Sequence, residues 1–387
     1  MAPPLRYSFR NALVRWRSTS ATVLGIALVV FVFVLLQSLA AGIERSSGNT
    51  GDPRNLLVVR KGSTAESASL IARQNFQDLR YLPEIARNPQ GEPLMAADVL
   101  VLVNLPRRQG AGEANVLLRG VTPRGMELRP QVRLAAGRWF EPGHREVVVS
   151  AKLARRFEHF DIGQSFRSGS ATLTVVGWLE GGGSAFDSEC WLDADECRSL
   201  FERDMYSSFL IRPRDAAAGE QLMARIEADR RFKLKAEREV DYYRKQTMTA
   251  APIKWLGNFL AVTMSIGAVF AAMNTMYAAV GSRTREIGTL RVLGFRRRSV
   301  VLALLLEGGF LALIGGALGC AVAFYWNGYT TATMGFETFS EIVFEFRITP
   351  RLVAEGLLFA VMVGLAGTFL PALRAARLPV IAALKSL

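Results

Sequence analysis

Apolar and polar positions follow two distinct patterns along this chain. Four stretches are apolar at nearly every position. Ala21–Gly42 (ATVLGIALVVFVFVLLQSLAAG) runs for 22 residues and Trp255–Gly281 for 27, neither with a charge. Val300–Trp326 is apolar apart from Glu307, and Leu352–Leu373 apart from Glu355. At about 1.5 Å per residue, each is long enough to cross a hydrocarbon core of about 30 Å. Buried helices of soluble domains rarely run so far without a charge, so the pattern predicts four transmembrane helices, at 21–42, 255–281, 300–326 and 352–373. The first is expected to be an uncleaved anchor, because its apolar core exceeds the roughly 7–15 residues of a signal peptide.

Between the first two spans the pattern changes to short alternating runs. "NLLVVRKGS" (55–63), "DVLVLVNL", "NVLLRGV", "REVVVSAKLARRF", "ATLTVVGWL" and "SSFLIRP" carry strand or strand–helix signals, with turns at Pro142–Gly143 and Gly181–Gly183. Ser67–Arg87 reads as a helix broken at Pro83, and Gly219–Tyr243 as helix with one short strand. The prediction is an α-helical membrane protein with a large mixed α/β extracytoplasmic domain over 43–254, between the first and second helices. From Val240 the chain reads as helical towards the second span, as a continuous stalk or with a hinge near Pro252. Residues 327–351 are too many for a tight turn and predict a short outer helix or a hairpin. At the other end, 1–20 reads as a basic amphipathic helix with Leu5, Phe9, Leu13 and Trp16 near one face.

Charge sets the orientation. Residues 1–20, 282–299 and 374–387 together carry thirteen positive charges against Glu286 alone, whereas 43–254 is nearly balanced. The excess of the +13 net charge thus flanks spans, and the positive-inside rule puts both termini and the 282–299 linker in the cytoplasm. The basic pI is read as topology and not as nucleic-acid binding. Segment 43–254 then faces an oxidising compartment, where Cys190 and Cys197 are the one candidate disulfide pair, with two free, buried thiols as the alternative.

Chemistry is sparse. No G-x-x-x-x-G-K-S/T loop occurs, and the two histidines, His144 and His159, form no zinc or Ser–His arrangement. The chain is therefore expected to be non-catalytic, with no metal and no cofactor of its own. Glu307 and Glu355 are intramembrane acids, expected to pair structurally, Glu307 with arginines near Arg296–Arg298. Gly315, Gly316 and Gly319 allow close helix packing, within a bundle or between subunits. The linker "SRTREIGTLRVLGFRRRS" has six arginines, yet Ile287, Leu290 and Leu293 step at helical spacing. Such a helix can rest on lipid or insert into a groove of a soluble partner, and composition alone leaves both open.

The stretch 282–319 resembles the signature of the FtsX/MacB-like ABC-transporter permeases. In that family a basic R-x-x-E-I-G-x-L-R-x-x-G segment precedes a span with an early glutamate and a glycine-rich core. The matching residues are Arg283, Glu286, Ile287, Gly288, Leu290, Arg291, Gly294, Glu307, Gly315, Gly316 and Gly319. "PALRAARLPVIAAL" is similar to the family's closing block through Pro371, Ala375 and Ala383–Leu384, and "LRGVTPRGMEL" to "LTVVGWL" resembles the outer domain of the MacB-like branch. The resemblance implies a permease subunit, as a homo- or heterodimer, in a bacterial inner membrane. A separate cytoplasmic ATPase would bind ATP and Mg. Residues Arg283, Arg285, Glu286, Ile287, Leu290, Arg291, Leu293 and Gly294 would form the ATPase-coupling helix, with Ile287, Leu290 and Leu293 as apolar anchors. It implies export or mechanotransmission, or alternatively an FtsX-like scaffold controlling an envelope enzyme. A periplasmic adaptor or effector and membrane lipids would be further partners.

Overall fold

A computed structural model of the chain describes residues 16–108, 112–169, 171–246, 250–334 and 339–377. The amphipathic helix expected near the N-terminus therefore lies largely outside the described residues, as do the junction at 247–249 and the closing block beyond Arg377.

The elements run α1 (Trp16–Gly48), β1 (Leu56–Arg60), α2 (Arg73–Leu79), β2 (Met95–Pro106), β3 (Glu113–Val121), α3 (Pro123–Glu127), β4 (Arg133–Gly137), β5 (Glu146–Ser150) and α4 (Ala151–Ala154). They continue with β6 (Ser165–Ser168), β7 (Ala171–Glu180), β8 (Glu189–Asp193), α5 (Ala194–Leu200), β9 (Ser208–Ile211), α6 (Ala216–Ala228), β10 (Leu234–Arg238) and α7 (Glu239–Gln246). The chain closes with α8 (Ala250–Ser282), α9 (Thr284–Val292), α10 (Arg297–Phe324), β11 (Thr330–Met334), β12 (Glu341–Glu345) and α11 (Pro350–Arg377). They form two compact units. One holds Met1–Ala41, Pro252–Tyr329 and Phe346–Leu387; the other holds Gly42–Ala251 together with Thr330–Glu345.

In the first unit, α1, α8, α10 and α11 are each long and apolar enough to cross a membrane. Their glycines are where backbones meet. A Cβ on Gly315 would stand 2.8 Å from the Val23 carbonyl oxygen, and one on Gly319 2.5 Å from that of Ala27. Gly316 instead faces Ala360 of α11, 2.6 Å from where its own Cβ would be. The G-x-x-x-G stripe is thus filled by α1 of the same chain, which a side chain at either glycine would displace.

The second unit is built on a ten-stranded sheet in the order β10-β1-β9-β2-β3-β8-β5-β7-β4, with β6 on β7. Pairings β3–β8 and β5–β7 are parallel and the others antiparallel. Strands β2 and β3 run on one register from Val99↔Gly120 to Pro106↔Glu113. Their alternation buries Val99, Val101, Val103, Val116 and Leu118 with Phe157, Phe160 and Leu173. The helix expected over 67–87, broken at Pro83, forms only in part. A 3-10 turn spans Glu66–Ala68 and only Arg73–Leu79 is helical. Ile71 instead bridges to Tyr206 and Ile85 to Pro213, so tertiary pairing overrides the local helical pattern. Cys190 and Cys197 are both free and buried, so the candidate disulfide is absent. Cys197 packs its Cβ against Gly120, within 2.6 Å of where a side chain there would begin.

Candidate coupling sites

The 282–299 linker folds as α9, a nine-residue helix, followed by a turn at Gly294, whose φ of +91° is one that L side chains rarely adopt. One face packs on its own bundle. Ile287 is buried among Val280, Val300, Leu304, Ala372, Ala375 and Ala376, and Gly288 is buried beside it. This corrects the expectation for Ile287, which in this structure is an internal anchor and presents nothing to a partner. Leu290 is half-buried and lines a small cavity with Phe295 and Ala303. The apolar surface left open is Val292, 60% exposed, and Leu293, 70% exposed. Around it Arg285, Glu286 and Gly294 are exposed, while Arg283 and Arg291 are half-buried.

Arg283 explains Glu307. Its Nη1 lies 3.2 Å from each carboxylate oxygen of Glu307, with both side chains largely buried. The partner is therefore the arginine preceding the helix, and not one of Arg296–Arg298 as expected. A carboxylate within a span is costly unless compensated, and this pair places the compensation at the root of α9. Glu355 pairs with Arg351, one turn away, at 2.9 Å.

A second site lies in the outer unit. The segment between the third and fourth spans forms a hairpin, β11–β12, in the register Thr330↔Glu345 to Met334↔Glu341. Glu341, 2% exposed, receives Arg107 on Oε2 at 2.7 Å and Arg156 on Oε1 at 2.7 Å. The Val343 N–H donates to Ser188 Oγ at 2.8 Å, and the Val343 side chain joins the main core of the unit. Lys152 lies 3.0 Å from both Asp187 and Glu345. Burial disfavours its charge, but those two acids outweigh burial and hold its ammonium above the usual range. Gly42, at the outer end of α1, fits beneath the hairpin, since a Cβ there would stand 2.6 Å from the Glu345 carbonyl oxygen. Sequence reasoning left this segment as helix or hairpin and missed its acids. The signal lay in Glu341 and Glu345, spaced to fall on one face of a strand.

A third site joins the two ends of the outer unit. Glu239, the first residue of α7, accepts from the Asp52 N–H at 2.8 Å and from Asn55 Nδ2 at 2.9 Å. Asp52 and Asn55 follow α1 directly. Beneath them Arg119, fully buried, contacts Glu66 at 3.1 Å, Asp98 at 3.0 Å and Glu189 at 2.7 Å. Arg129 bridges Asp98 and Glu239, and Tyr243 of α7 donates to Glu66 at 2.9 Å. Burial opposes ionisation of Glu66, but the charge and hydrogen bonds of Arg119, with the Ser208 hydroxyl, win and hold its carboxyl below the usual range. At Glu239 burial prevails over Arg129 and raises the carboxyl above it. The chain leading in from α1 and the chain leaving through α7 are thus fixed to one buried ionic cluster.

Comparison with known proteins decides the family. Residues 19–229 match the MacB-like periplasmic core domain, and residues 258–380 the FtsX-like permease C-terminal domain. This chain belongs to the MacB-like, FtsX-type ABC-transporter permeases. It is 25% identical over 413 aligned residues to the macrolide export ATP-binding/permease protein MacB of Nitrosomonas europaea, covering 99% of this chain and 59% of that protein. The permease thus spans about three-fifths of that relative's length. It is 24% identical to the ABC transporter permease YknZ of Bacillus subtilis, covering 85% of this chain and 91% of that one. The crystal structure of the periplasmic region of MacB from Actinobacillus actinomycetemcomitans is similar over 52% of this chain and 94% of that one, at 12% identity and a TM-score of 0.37. In the permease, α9 lies inside the FtsX-like match, as does the β11–β12 hairpin, although the hairpin is folded into the outer unit.

Proposed function

We propose that this permease couples the ATP cycle of a separate cytoplasmic ATPase to movement of its outer domain. The ATPase engages α9 through Val292, Leu293 and the surrounding arginines. The observation that carries this reading is the two-sidedness of α9. One side is held to the bundle by Ile287 and the Arg283–Glu307 pair, and the other offers an apolar knob in a basic surround. A helix so fixed would transmit a push on its free side to the spans, and its exposed apolar knob suits the helix-in-groove mode of recognition. ATP and Mg would be bound by that ATPase. The basic linker and ends orient the permease with both termini in the cytoplasm of a bacterial inner membrane, and a second permease subunit completes a dimer.

The test is Leu293→Asp in the full-length chain, co-expressed with the ATPase. Co-purification of the ATPase is expected to fall about tenfold while the permease elutes and unfolds as wild type. Retained ATPase binding and stimulation would remove α9 as the docking site.

A second reading, the scaffold that activates an envelope enzyme, is favoured by the docked hairpin, which directs movement of the chain between the third and fourth spans into the outer unit. It differs in its product: a stable outer-side protein partner recovered by affinity purification, and no exported solute.

A further inference from the structure

On the membrane unit, α10 and α11 leave a groove of about 370 Å³ between them at the end that carries the linker. Three arginines stand at its mouth, Arg297 and Arg298 from α10 and Arg377 from α11, all exposed. Among the described residues none of them has a carboxylate partner. Glu307, the acid within α10, is taken by Arg283. Below the arginines the walls are entirely apolar, with Val301, Leu302 and Leu305 on one side and Leu373 and Ala376 on the other.

The helix faces that line this groove continue beyond it. Arg298, Leu302, Leu305 and Gly309 follow at steps of three and four, and so share one face of α10. On α11, Leu365, Phe369, Leu373 and Arg377 do the same at steps of four. At Gly309 a Cβ would meet Leu365 Cδ2 at 3.5 Å, an ordinary packing contact, so the two helices close together there. Leu302 is 59% and Phe369 49% exposed along this line. A cationic mouth therefore leads into an apolar trough lined by Val301, Leu302, Leu305, Leu373 and Ala376.

We propose that this groove binds an anionic phospholipid from the linker-side leaflet, with its phosphate on Arg297, Arg298 and Arg377 and an acyl chain laid along Leu302, Leu305 and Leu373. Charge complementarity selects an anion, since three unpaired guanidiniums converge on one cavity with no acid among them. The apolar walls select a lipid over a free anion, which has no use for them. Arginines that merely snorkel reach the interface singly and need no shared cavity. The site is separate from α9 and does not rest on the proposed docking of an ATPase.

The test uses the full-length permease, stripped of lipid in dodecyl maltoside and titrated with tetraoleoyl cardiolipin, dioleoyl phosphatidylglycerol or dioleoyl phosphatidylcholine, with bound lipid read by native mass spectrometry. Wild type is expected to retain either anionic lipid about tenfold more than phosphatidylcholine. Arg298→Gln with Arg377→Gln loses about tenfold of that retention, whereas Arg285→Gln with Arg296→Gln, the same charge change outside the groove, keeps it. Leu305→Trp fills the trough with the charge intact and also lowers retention, and 50 mM inorganic phosphate displaces nothing. Equal retention of phosphatidylcholine, equal loss in both arginine pairs, or unchanged binding in Leu305→Trp would overturn the assignment. Displacement by phosphate would make the groove an anion site instead. Higher lipid uptake on deleting 378–387 would make the chain's own tail the occupant.

Discussion

Glu307 shows how one side chain can set the behaviour of a neighbouring element. Its carboxylate is held by Arg283 at 3.2 Å, and hydrogen bonds to charged groups are worth about 2 kcal/mol net. Glu307→Ala is expected to lower bundle stability by about that amount and to loosen α9, read as faster amide exchange at 284–292. The exchanged pair Arg283→Glu with Glu307→Arg should restore protection, which a purely steric effect would not allow. The cysteines give a second residue-level prediction. Burial pushes the Cys190 thiol far up and that of Cys197 up to about 12. Neither should react with maleimide in the native permease at pH 7.5, and both should react in denaturant. Non-reducing electrophoresis should show no 190–197 bridge. Acid dependence comes from Glu66 and Glu239, with opposite signs. Glu66 is held below its ordinary value of 4.5, so its stabilising share is complete above that pH and is lost as the pH falls through the lowered value. Glu239 is held above 4.5, so the folded state keeps a proton that the unfolded chain gives up. Its share declines as the pH rises from 4.5 through the raised value. Glu239→Gln is expected to flatten the dependence above pH 4.5 and Glu66→Gln the loss below it, measured by amide exchange of the outer unit in the full-length protein.

At the scale of elements, what the sequence disclosed depended on whether a local period had only one use. The four spans were legible because apolar residues run there almost unbroken, and strands such as 98–105 and 115–121 because short apolar runs are set off by polar and turn residues. The helix expected at 67–87 was not, because Ile71 and Ile85 are claimed by strand partners far along the chain. Strands β4 (RLAAG), β6 (SFRS) and β8 (ECWLD) mix small, polar and charged residues, so no apolar run declared them. The linker helix was legible, but its face was not. Ile287, Leu290 and Leu293 share a helical stripe, and spacing alone cannot tell which end of the stripe is covered by the chain's own bundle. Packing of the spans carries its own prediction. Gly319→Val would drive a side chain into the Ala27 carbonyl of α1 and is expected to cost about 1–3 kcal/mol, seen as a lower unfolding temperature in detergent.

For the molecule as a whole, the hairpin is the feature that composition did not disclose. Its acids meet Arg107, Arg156 and Lys152, which lie some 185 to 234 residues earlier. Glu341→Lys would break two ion pairs and set three cations together, at a cost of about 3 kcal/mol. Residues 330–334 and 341–345 are then expected to lose exchange protection while β2 and β3 keep theirs. Under the proposed coupling, stimulation of the ATPase is expected to fall even though α9 is intact. The same docking bears on domain exchange between relatives. A graft that replaces 42–251 alone would set a foreign surface against the resident β11–β12, orphaning Glu341. A transplant that takes 330–345 along moves the lock with its key, so the boundary of the exchangeable module is discontinuous in sequence though continuous in space.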